Sequence, residues 1–465
     1  MKNPGLREYF SDCSVALDID AITKQFTSLT PRYDFENWKL PLPPWAMRPY
    51  DNDGTQAWQH LVEDLHGARS ENPMCVYLHI PFCSNKCGFC DSYSFKLGSH
   101  VEENMNSYVD QLCQEMTIWK THCVLENRPI STIHLGGGSP TYLRSHHLER
   151  LVFQCQQLFK ITPNTEWALE STAHDLTPVM LSNLHKMEFR RLHVGVQSLQ
   201  DDVREKIGRQ SPAARVIETI SNALDLGWVV SVDLIVGLPG QTMKTFLEDI
   251  LKLVSLGVNG FSIYELLIYP QNSRWAVSYG LDKGNHLVNY LMFQAGAMLL
   301  KQHGFRQNLF NHWSDALDKN VYFTSPSRGE DLLAIGAIAD GVFGSYHYRH
   351  PTYAKYMKAG HEGIPNLQGG LRRTNLEEKF RGFSTELLSA HISESKLAGL
   401  KGLRSSQGQP LLDTWSENAL VETDGFGGLA LTTNGAWFAG NMTSELFQAL
   451  QAIDLTVDCK ESKPQ

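Results

Sequence analysis

The sequence has no uninterrupted apolar stretch of about 18 residues, the length that a helix needs to cross a membrane, so no membrane span is expected. Its N-terminal stretch contains acidic side chains and no long apolar segment, which argues against a secretory signal. The net charge is −9 over 465 residues, so the overall charge does not attract nucleic acid. Cysteine is scarce, and six of the nine residues are scattered, which excludes a disulfide scaffold. We expect a cytoplasmic globular protein.

The other three cysteines form the most informative pattern in the chain. Cys83, Cys87 and Cys90 follow one another in the run HIPFCSNKCGFC. Thiolates at this CxxxCxxC spacing can ligate three irons of a [4Fe–4S] cluster and leave the fourth iron open to a small-molecule ligand. Such a cluster favours a reducing compartment, where thiols persist. A zinc site is the alternative, because His79 lies four residues before Cys83 and could complete a Cys3His set.

From residue 74 onward, short apolar segments alternate with helical ones. We predict six strands, at 74–80, 131–135, 166–170, 191–196, 229–236 and 260–267. The helices between them are expected near 102–120, 145–159, 177–187, 200–226 and 242–256. This alternation indicates parallel strands joined by right-handed crossovers, and six units are fewer than the eight of a closed barrel. The predicted fold class is α/β, an open partial (β/α)6 barrel over residues 74–275 with its site at the C-terminal strand ends.

The remaining segments are expected to surround this barrel. Residues 1–73, which include LPLPPWAMRPYDNDG, are predicted to be an extended arm with a few short helices. Residues 276–370 are expected to lie against the barrel, with a helix near 285–305. Residues 371–455 are predicted to form a small α-rich domain with a β-wing, followed by a tail at 456–465. Since this domain has no basic recognition helix, no nucleic-acid partner is expected.

A glycine run comes directly after the second predicted strand. Gly136, Gly137 and Gly138 precede Ser139, and glycines allow a backbone to approach a ligand closely and to expose its peptide groups. A tight strand–helix turn is the alternative reading of the same run. Its place behind the cysteine triplet favours a ligand-binding loop.

Three polar residues lie near the ends of later strands. These are Glu170, Gln197 and Asp233. Buried polar groups are costly without partners, so their repeated placement on one rim predicts a polar ligand. Arg209, in the run IGRQ, could neutralise a carboxylate of that ligand, although a solvated arginine at a helix end would look the same.

In this order, HIPFCxxxCxFC, IHLGGGSPT, RLHVGVQS, IGRQ and DLIVGLPGQT closely resemble the HemN-like radical S-adenosylmethionine (SAM) family, from about residue 30 to about residue 450. The resemblance implies a radical SAM barrel, a winged-helix-like C-terminal domain, and a SAM that chelates the open iron. It assigns to that SAM the residues Tyr77, Gly137, Gly138, Ser139, Glu170, Gln197, Arg209 and Asp233. It places a second SAM near Phe89, Gly136 and Leu266. An electron donor such as flavodoxin or ferredoxin is implied as a partner.

Within this family, we favour a class C-like methyltransferase. Coproporphyrinogen III dehydrogenases typically carry a fourth cysteine where this chain has Ser92, and the haem chaperones are commonly shorter before the cysteines. The favoured reaction forms a carbon–carbon bond at an sp2 carbon of an unsaturated or tetrapyrrole-like small molecule. The adduct must then lose a proton to a general base, for which Tyr264 and Glu265 are candidates.

Two alternatives stay open. Oxidative decarboxylation of coproporphyrinogen III would need arginines for propionates, and Arg190, Arg191 and Arg274 are available. A HemW-like haem chaperone would need axial ligands, for which His347 and His350 in SYHYRH are the candidates. A haem-degrading methyltransferase lies between these readings.

Overall fold

Six parallel strands form the centre of the molecule, as predicted. The computed structural model describes residues 18–29, 32–33, 39–51, 53–67, 72–122, 125, 128–281, 285–358, 363–402 and 404–461. The central strands are β1 (Met74–Ile80), β2 (Ile130–Gly137), β3 (Glu166–Ser171), β4 (Arg191–Gln197), β5 (Val229–Val236) and β6 (Gly260–Glu265). They pair in chain order and every pairing is parallel. Their C-terminal ends therefore meet at one rim, where this architecture places active sites.

Helices cover the outer face of this sheet and form most of the remaining described chain. In chain order they are α1 (Ile19–Leu29), α2 (Gly54–Gly67), α3 (Val101–His122), α4 (Ser145–Leu158), α5 (Pro178–Lys186), α6 (Asp201–Lys206), α7 (Ala213–Asp225), α8 (Met243–Leu256), α9 (Ser273–Ser278), α10 (His286–Gln302), α11 (Val321–Thr324), α12 (Tyr353–Tyr356), α13 (Asn375–Leu388), α14 (Glu394–Gly402), α15 (Arg404–Glu417), α16 (Thr433–Trp437) and α17 (Ala439–Glu461). No helix among these residues is both long and apolar enough to span a bilayer.

The helix predicted over 200–226 is two helices, α6 and α7. Gly208 has a φ of +77°, a left-handed conformation that ends the first helix. Pro212 then precedes the second helix as its N-cap, with extended backbone angles. The segment between them lies at the C-terminal rim of the barrel and carries Arg209.

Residues beyond 275 do more than lie against the barrel, because their strands join the same sheet. These strands are β7 (Arg306–Leu309), β8 (His312–Ser314), β9 (Asp331–Ile335), β10 (Asp340–Phe343), β11 (Tyr346–Arg349) and β12 (Gly369–Arg372). β8 pairs antiparallel with β6, and β9 pairs parallel with β1. The sheet thus has twelve strands in the order β12-β11-β10-β9-β1-β2-β3-β4-β5-β6-β8-β7. Both edges of the six-stranded barrel are extended.

A buried ionic network closes the N-terminal end of the barrel. Arg191, the first residue of β4, forms a salt bridge with Asp318. The same carboxylate is 2.9 Å from His312 Nε2, and His312 Nδ1 is 2.8 Å from the Ser262 hydroxyl. Burial opposes the charge of Asp318, yet the adjoining guanidinium and imidazole hold the pKa of this carboxyl well below its usual range. This network lies opposite the rim at which the C-terminal ends of the six strands meet.

The C-terminal residues form helices around a second, three-stranded sheet. Its strands are β13 (His391–Ile392), β14 (Val421–Thr423) and β15 (Leu429–Leu431), in the order β13-β15-β14. The described part of the N-terminal arm (residues 1–73), called the leader below, packs between this domain and the barrel. The Phe26 ring of α1, for example, lies 4.8 Å from the Tyr290 ring of α10 and 6.3 Å from the Phe438 ring.

Candidate active site

The three cysteines lie in a loop that leaves the C-terminal end of β1. Gly88, in the middle of this loop, donates its N–H to the carbonyl of Ile207 (3.1 Å). A Cβ at Gly88 would lie 2.3 Å from the indole nitrogen of Trp275, so only glycine fits against that ring. Asn272 donates to the carbonyl of Phe89 (3.1 Å). The chain after α6 and the chain after β6 therefore hold the loop in place.

The thiols of Cys83, Cys87 and Cys90 are half-buried and line one cavity. Burial is the main cause that raises the pKa of Cys83 to about 11, against a hydrogen bond from Ser94 that favours the thiolate. A zinc ion with Zn–S bonds of about 2.3 Å would bring its sulfur ligands to within about 4 Å of one another. Within the described residues, no set of three ligand atoms closer than 4.8 Å includes these cysteines or His79. His79, the fourth ligand of the alternative Cys3His zinc site, is not among the residues that line the cavity with the three thiols.

The glycine run, of which Gly136 and Gly137 are the last residues of β2, packs against the chain that enters the cysteine loop. Gly138 donates its N–H to the Ile80 carbonyl (2.8 Å), and a Cβ there would lie 2.5 Å from the Phe82 oxygen. Gly137 has a φ of +106°, and a Cβ there would lie 2.4 Å from the His79 ring. These two glycines are needed for the close approach of the two loops, independently of any ligand.

Ser139 belongs to a cluster of hydroxyl groups around Asp175. The Ser139 hydroxyl donates to the Asp175 carboxylate (2.8 Å), and the hydroxyls of Thr172 (3.3 Å) and Ser84 (3.4 Å) do the same. Ser84 lies in the cysteine loop, so the carboxylate connects that loop with the ends of β2 and β3. Sequence reasoning missed Asp175. This residue lies shortly after the end of β3, on the same rim as Gln197 at the end of β4.

Glu170 is an ionised carboxylate in the cavity wall. It accepts hydrogen bonds from His134 Nε2 (3.0 Å) and from the N–H of Gly137 (3.4 Å). Burial lowers the pKa of His134, which is therefore neutral and donates from Nε2. Burial would also raise the pKa of Glu170, but its hydrogen bond with His134 outweighs it and the pKa is lowered.

Gln197 and Arg209 bring unsatisfied polar atoms to the cavity. Gln197 has a φ of +67°, an unusual conformation for a residue other than glycine. Its Oε1 and the Nε of Arg209 are buried and have no hydrogen-bond partner within the described structure. The Arg209 guanidinium lies 5.4 Å from the centre of the Phe89 ring. Because unsatisfied buried polar groups are costly, a ligand with both donors and acceptors would stabilise this arrangement.

Asp233 is paired with His193, a residue that sequence reasoning did not single out. His193 Nε2 is 2.7 Å from the Asp233 carboxylate, and Nδ1 is 2.7 Å from the Ser231 hydroxyl. Burial disfavours the charged imidazole, but the Asp233 carboxylate outweighs burial and raises the pKa of His193. The site thus contains a histidine–carboxylate pair that can hold a proton.

These groups line one cavity of about 190 Å³ at the C-terminal rim. The predicted residues that it brings together are Cys83, Cys87, Phe89, Cys90, Gly137, Gly138, Ser139, Glu170, Gln197, Arg209 and Asp233. It adds Thr172, Asp175, His193 and Arg204, to which sequence reasoning assigned no role, although His193 lies within the run RLHVGVQS.

Three predicted SAM contacts lie behind the cavity wall. Tyr77 stacks on Tyr322 (5.5 Å) and His134 (6.1 Å) inside the barrel. Gly136 lies against Tyr77, which a Cβ there would approach to 3.0 Å. Leu266 is buried in a small apolar cluster against which Phe89 packs. In this structure all three therefore support the wall and do not line the cavity.

The two candidates for the general base are also outside this cavity. Glu265 is buried and accepts hydrogen bonds from His286 (2.8 Å) and Asn289 (2.8 Å) of α10. Tyr264, on the opposite face of β6, lines a separate and mostly apolar cavity with Phe323. Burial raises the pKa of Tyr264 far above its usual value, so it is a poor base.

The residues considered for the two alternative functions are engaged elsewhere. His350 is fully buried, and its two ring nitrogens contact Glu115 (2.7 Å) and the Ala339 carbonyl (2.9 Å), so neither can ligate haem iron. His347 Nε2 contacts the Arg373 guanidinium. Arg190 and Arg191 lie at the N-terminal end of β4, opposite the cysteines. Of the three arginines, only Arg274, exposed on α9, lies on the segment that holds the cysteine loop.

Comparison with known proteins agrees with this site. The radical SAM superfamily model matches residues 77–253. The chain is 32% identical to the haem chaperone HemW of Bacillus subtilis over 280 residues, which cover 58% of this chain and 71% of that one. It is 24% identical to anaerobilin synthase of Escherichia coli O157:H7 over 426 residues, 87% of this chain and 90% of that one.

A solved structure shows the same fold. The coproporphyrinogen III oxidase HemN of Escherichia coli superimposes with a TM-score of 0.76 at 21% identity, over 90% of this chain and 98% of that one. The barrel, the cysteine loop and the family match define a radical SAM enzyme. More narrowly, the chain belongs to the HemN-like family of these enzymes.

Membership of this family implies a [4Fe–4S] cluster and SAM, and the residues present fit both. Cys83, Cys87 and Cys90 provide three thiol ligands on one loop. The ionised Glu170 suits an amino group, and the Arg209 guanidinium suits a carboxylate. The amide oxygen of Gln197 offers an acceptor to a hydroxyl or amino group. This set of groups matches an amino acid joined to a nucleoside.

Proposed function

We propose that this radical SAM enzyme acts on a tetrapyrrole. The main support is the extent of one match, because the alignment with anaerobilin synthase spans 87% of this chain and therefore reaches well beyond the barrel. The match with HemW spans 58% of the chain, and that with the oxygen-independent coproporphyrinogen III oxidase of Escherichia coli K12 spans 52%. Haem and coproporphyrinogen III are both tetrapyrroles, which supports the same substrate class.

The proposed reaction adds a methyl carbon from a second SAM to an sp2 carbon of a haem-type macrocycle. A [4Fe–4S] cluster held by Cys83, Cys87 and Cys90 would, when reduced, supply the electron for reductive cleavage of the first SAM to a 5′-deoxyadenosyl radical. The chain's own residues would hold that SAM, with Arg209 suited to its carboxylate and Glu170 to its amino group. The proposed proton acceptor is the Asp233–His193 pair and not Tyr264 or Glu265. Both members of the pair line the cavity, and a hydrogen bond between them allows them to share a proton.

Oxidative decarboxylation of coproporphyrinogen III is the second candidate. The 26% identity to the coproporphyrinogen III oxidase over 244 residues favours it. Arg274, on the exposed rim beside the cysteine loop, is the residue available for a propionate. Ser92 stands where those enzymes typically carry a fourth cysteine, which counts against this candidate.

The test is anaerobic turnover with SAM that carries a deuterated methyl group. Protein with a reconstituted cluster is reduced with dithionite and incubated with haem or with coproporphyrinogen III, and products are analysed by mass spectrometry. With haem, we expect deuterated 5′-deoxyadenosine, S-adenosylhomocysteine and a labelled tetrapyrrole. Cys87→Ala should abolish all three products, whereas Cys113→Ala, a half-buried cysteine of α3, should keep them.

Other outcomes separate the candidates. Unlabelled 5′-deoxyadenosine with carbon dioxide released from coproporphyrinogen III would replace the proposal with the second candidate. Stoichiometric haem binding without SAM cleavage would indicate a chaperone. SAM cleavage that neither tetrapyrrole stimulates would contradict the substrate class.

A further inference from the structure

Lys86 lies inside the cysteine loop and reaches across to the segment that follows it. Its Nζ donates to the Ser92 carbonyl and to the Ser94 hydroxyl (3.3 Å). The same Nζ is 3.5 Å from the Cys90 sulfur, within hydrogen-bonding distance for sulfur. Although Lys86 is exposed, two oxygen acceptors fix the position of its ammonium group beside one of the three thiols.

The contacts of Ser94 extend this arrangement to a second cysteine. Ser94 accepts from Lys86 and hydrogen-bonds the Cys83 thiol. The backbone N–H of Cys83 in turn donates to the Phe95 carbonyl (3.0 Å). Lys86 is therefore connected to Cys90 directly and to Cys83 through one hydroxyl.

We propose that Lys86 is a positioning residue that raises the reduction potential of the cluster held by this loop. Reduction adds one electron to the cluster, so a fixed cation nearby stabilises the reduced form more than the oxidised form. A hydrogen bond from an ammonium group to a ligating sulfur acts in the same direction. Solvent screening weakens the effect of an exposed charge, but the short distance to Cys90 limits that loss.

Negative charges lie near the cysteine loop, and the positive charge of Lys86 opposes their effect on the reduction potential. Asp175 lies next to the cysteine loop, where the Ser84 hydroxyl donates to it, and Asp91 directly follows Cys90. Both carboxylates disfavour an added electron. Arg204 lines the same cavity, where its charge interacts with Cys87, but its guanidinium donates to the carbonyls of Val196, Ser198 and Ser211. Lys86, in contrast, has its Nζ within hydrogen-bonding distance of the Cys90 sulfur.

The test is a redox titration of the reconstituted protein, without SAM or tetrapyrrole, followed by electron paramagnetic resonance. Dithionite supplies the single electron and mediator dyes set the potential. We expect Lys86→Met to lower the ratio of reduced to oxidised cluster at a fixed potential by about tenfold, which corresponds to a midpoint 59 mV more negative. Lys86→Arg should retain most of the wild-type value, and the difference between the lysine and methionine proteins should shrink at high salt.

Lys206→Met is the matched control, because Lys206 is a rim lysine whose Nζ lies 3.4 Å from Asp202. It should titrate like the wild type. A Lys86→Met midpoint equal to that of the wild type would overturn the proposal, and so would an equal shift in Lys86→Met and Lys86→Arg. If Lys86→Met does not retain its iron, Lys86→Gln decides, since it removes the positive charge, keeps a polar side chain and leaves Ser94 in place. A more negative midpoint then supports the proposal, and an unchanged one overturns it. Since no substrate is present, the result is independent of the proposed reaction.

Discussion

Gly137 is a residue whose backbone conformation and surroundings both require glycine. Its φ is +106°, and an added Cβ would lie 2.4 Å from the ring of His79. We expect Gly137→Ala to lower the free energy of unfolding by about 1–3 kcal/mol or more, because strain and overlap add. Urea denaturation of the apoprotein measures this directly.

Gly98 provides the control for that substitution. A Cβ at Gly98 would meet no atom within 4 Å, and its φ is not in the left-handed region. Gly98→Ala should therefore change the free energy of unfolding by less than about 1 kcal/mol. Equal stability of the two alanine variants would contradict the account of Gly137.

Single residues also show where sequence reasoning succeeds at this site. Glu170, Gln197 and Asp233 were predicted from polar side chains at strand ends, and all three line the cavity. Tyr264 and Glu265 were predicted from the same rule, but consecutive residues of a strand point to opposite faces, so they could not both face one site. His193 lies two residues after Arg191 on β4, within the run RLHVGVQS, but the motif gave it no role because its carboxylate partner, Asp233, lies on the next strand.

At the scale of elements, a buried ion pair joins α3 to the strands added at the β9 edge. Glu115 of α3 accepts from His350 Nε2 (2.7 Å), Trp119 (3.1 Å) and the Tyr356 hydroxyl. Burial disfavours both charges, yet His350 lowers the pKa of Glu115 and Glu115 raises the pKa of His350. Since His350 Nδ1 also faces the Ala339 carbonyl, both of its nitrogens donate and the ring is cationic.

The pH dependence of stability follows from these two shifts. Because the pKa of His350 is raised in the folded protein, its protonation stabilises the fold fully below about pH 6.5, and this contribution is lost as the pH rises through the pKa of the folded state. The lowered pKa of Glu115 contributes above about pH 4.5 and is lost as the pH falls. We expect His350→Gln to lower the free energy of unfolding by about 3–5 kcal/mol near pH 6, as measured by urea unfolding. The same substitution should abolish the decrease in stability that the wild type shows at higher pH. His100→Gln, at an exposed histidine with 74% of its side chain accessible, should leave the pH profile unchanged.

Elements with local patterns were predicted well, and elements with distant partners were not. The six central strands are apolar runs separated by helices, which sequence reveals directly. β7 to β12 are three to five residues long, and their pairing partners lie far away along the chain, as β9 pairs with β1. Such short segments carry too little periodicity to distinguish a strand from a loop. The break between α6 and α7 is a different case, because it depends on Gly208 and Pro212, two local signals that the helix predicted over 200–226 did not take into account.

At the scale of the whole molecule, Glu445 of α17 connects the leader to the C-terminal domain. Its carboxylate accepts hydrogen bonds from Arg32, from the Tyr33 hydroxyl (3.0 Å) and from the Trp415 indole (2.8 Å). Arg32 is 40% exposed, so its ion pair alone contributes less than about 1 kcal/mol. Tyr33 is buried and Trp415 is fully buried, so their hydrogen bonds to Glu445 contribute more to stability than the exposed ion pair does.

We expect Glu445→Ala to release the leader as well as to destabilise the C-terminal domain. The substitution leaves the Tyr33 and Trp415 donors without their acceptor, at a cost of about 1–3 kcal/mol. Hydrogen exchange should therefore accelerate in α1, which packs on α10 next to these residues, and not in β1 to β6. Glu422→Ala, an exposed glutamate of the same domain, should leave α1 protected. If α1 exchanges at the wild-type rate in Glu445→Ala, the aromatic contacts of Phe26 with Tyr290 and Phe438 hold the leader without this carboxylate.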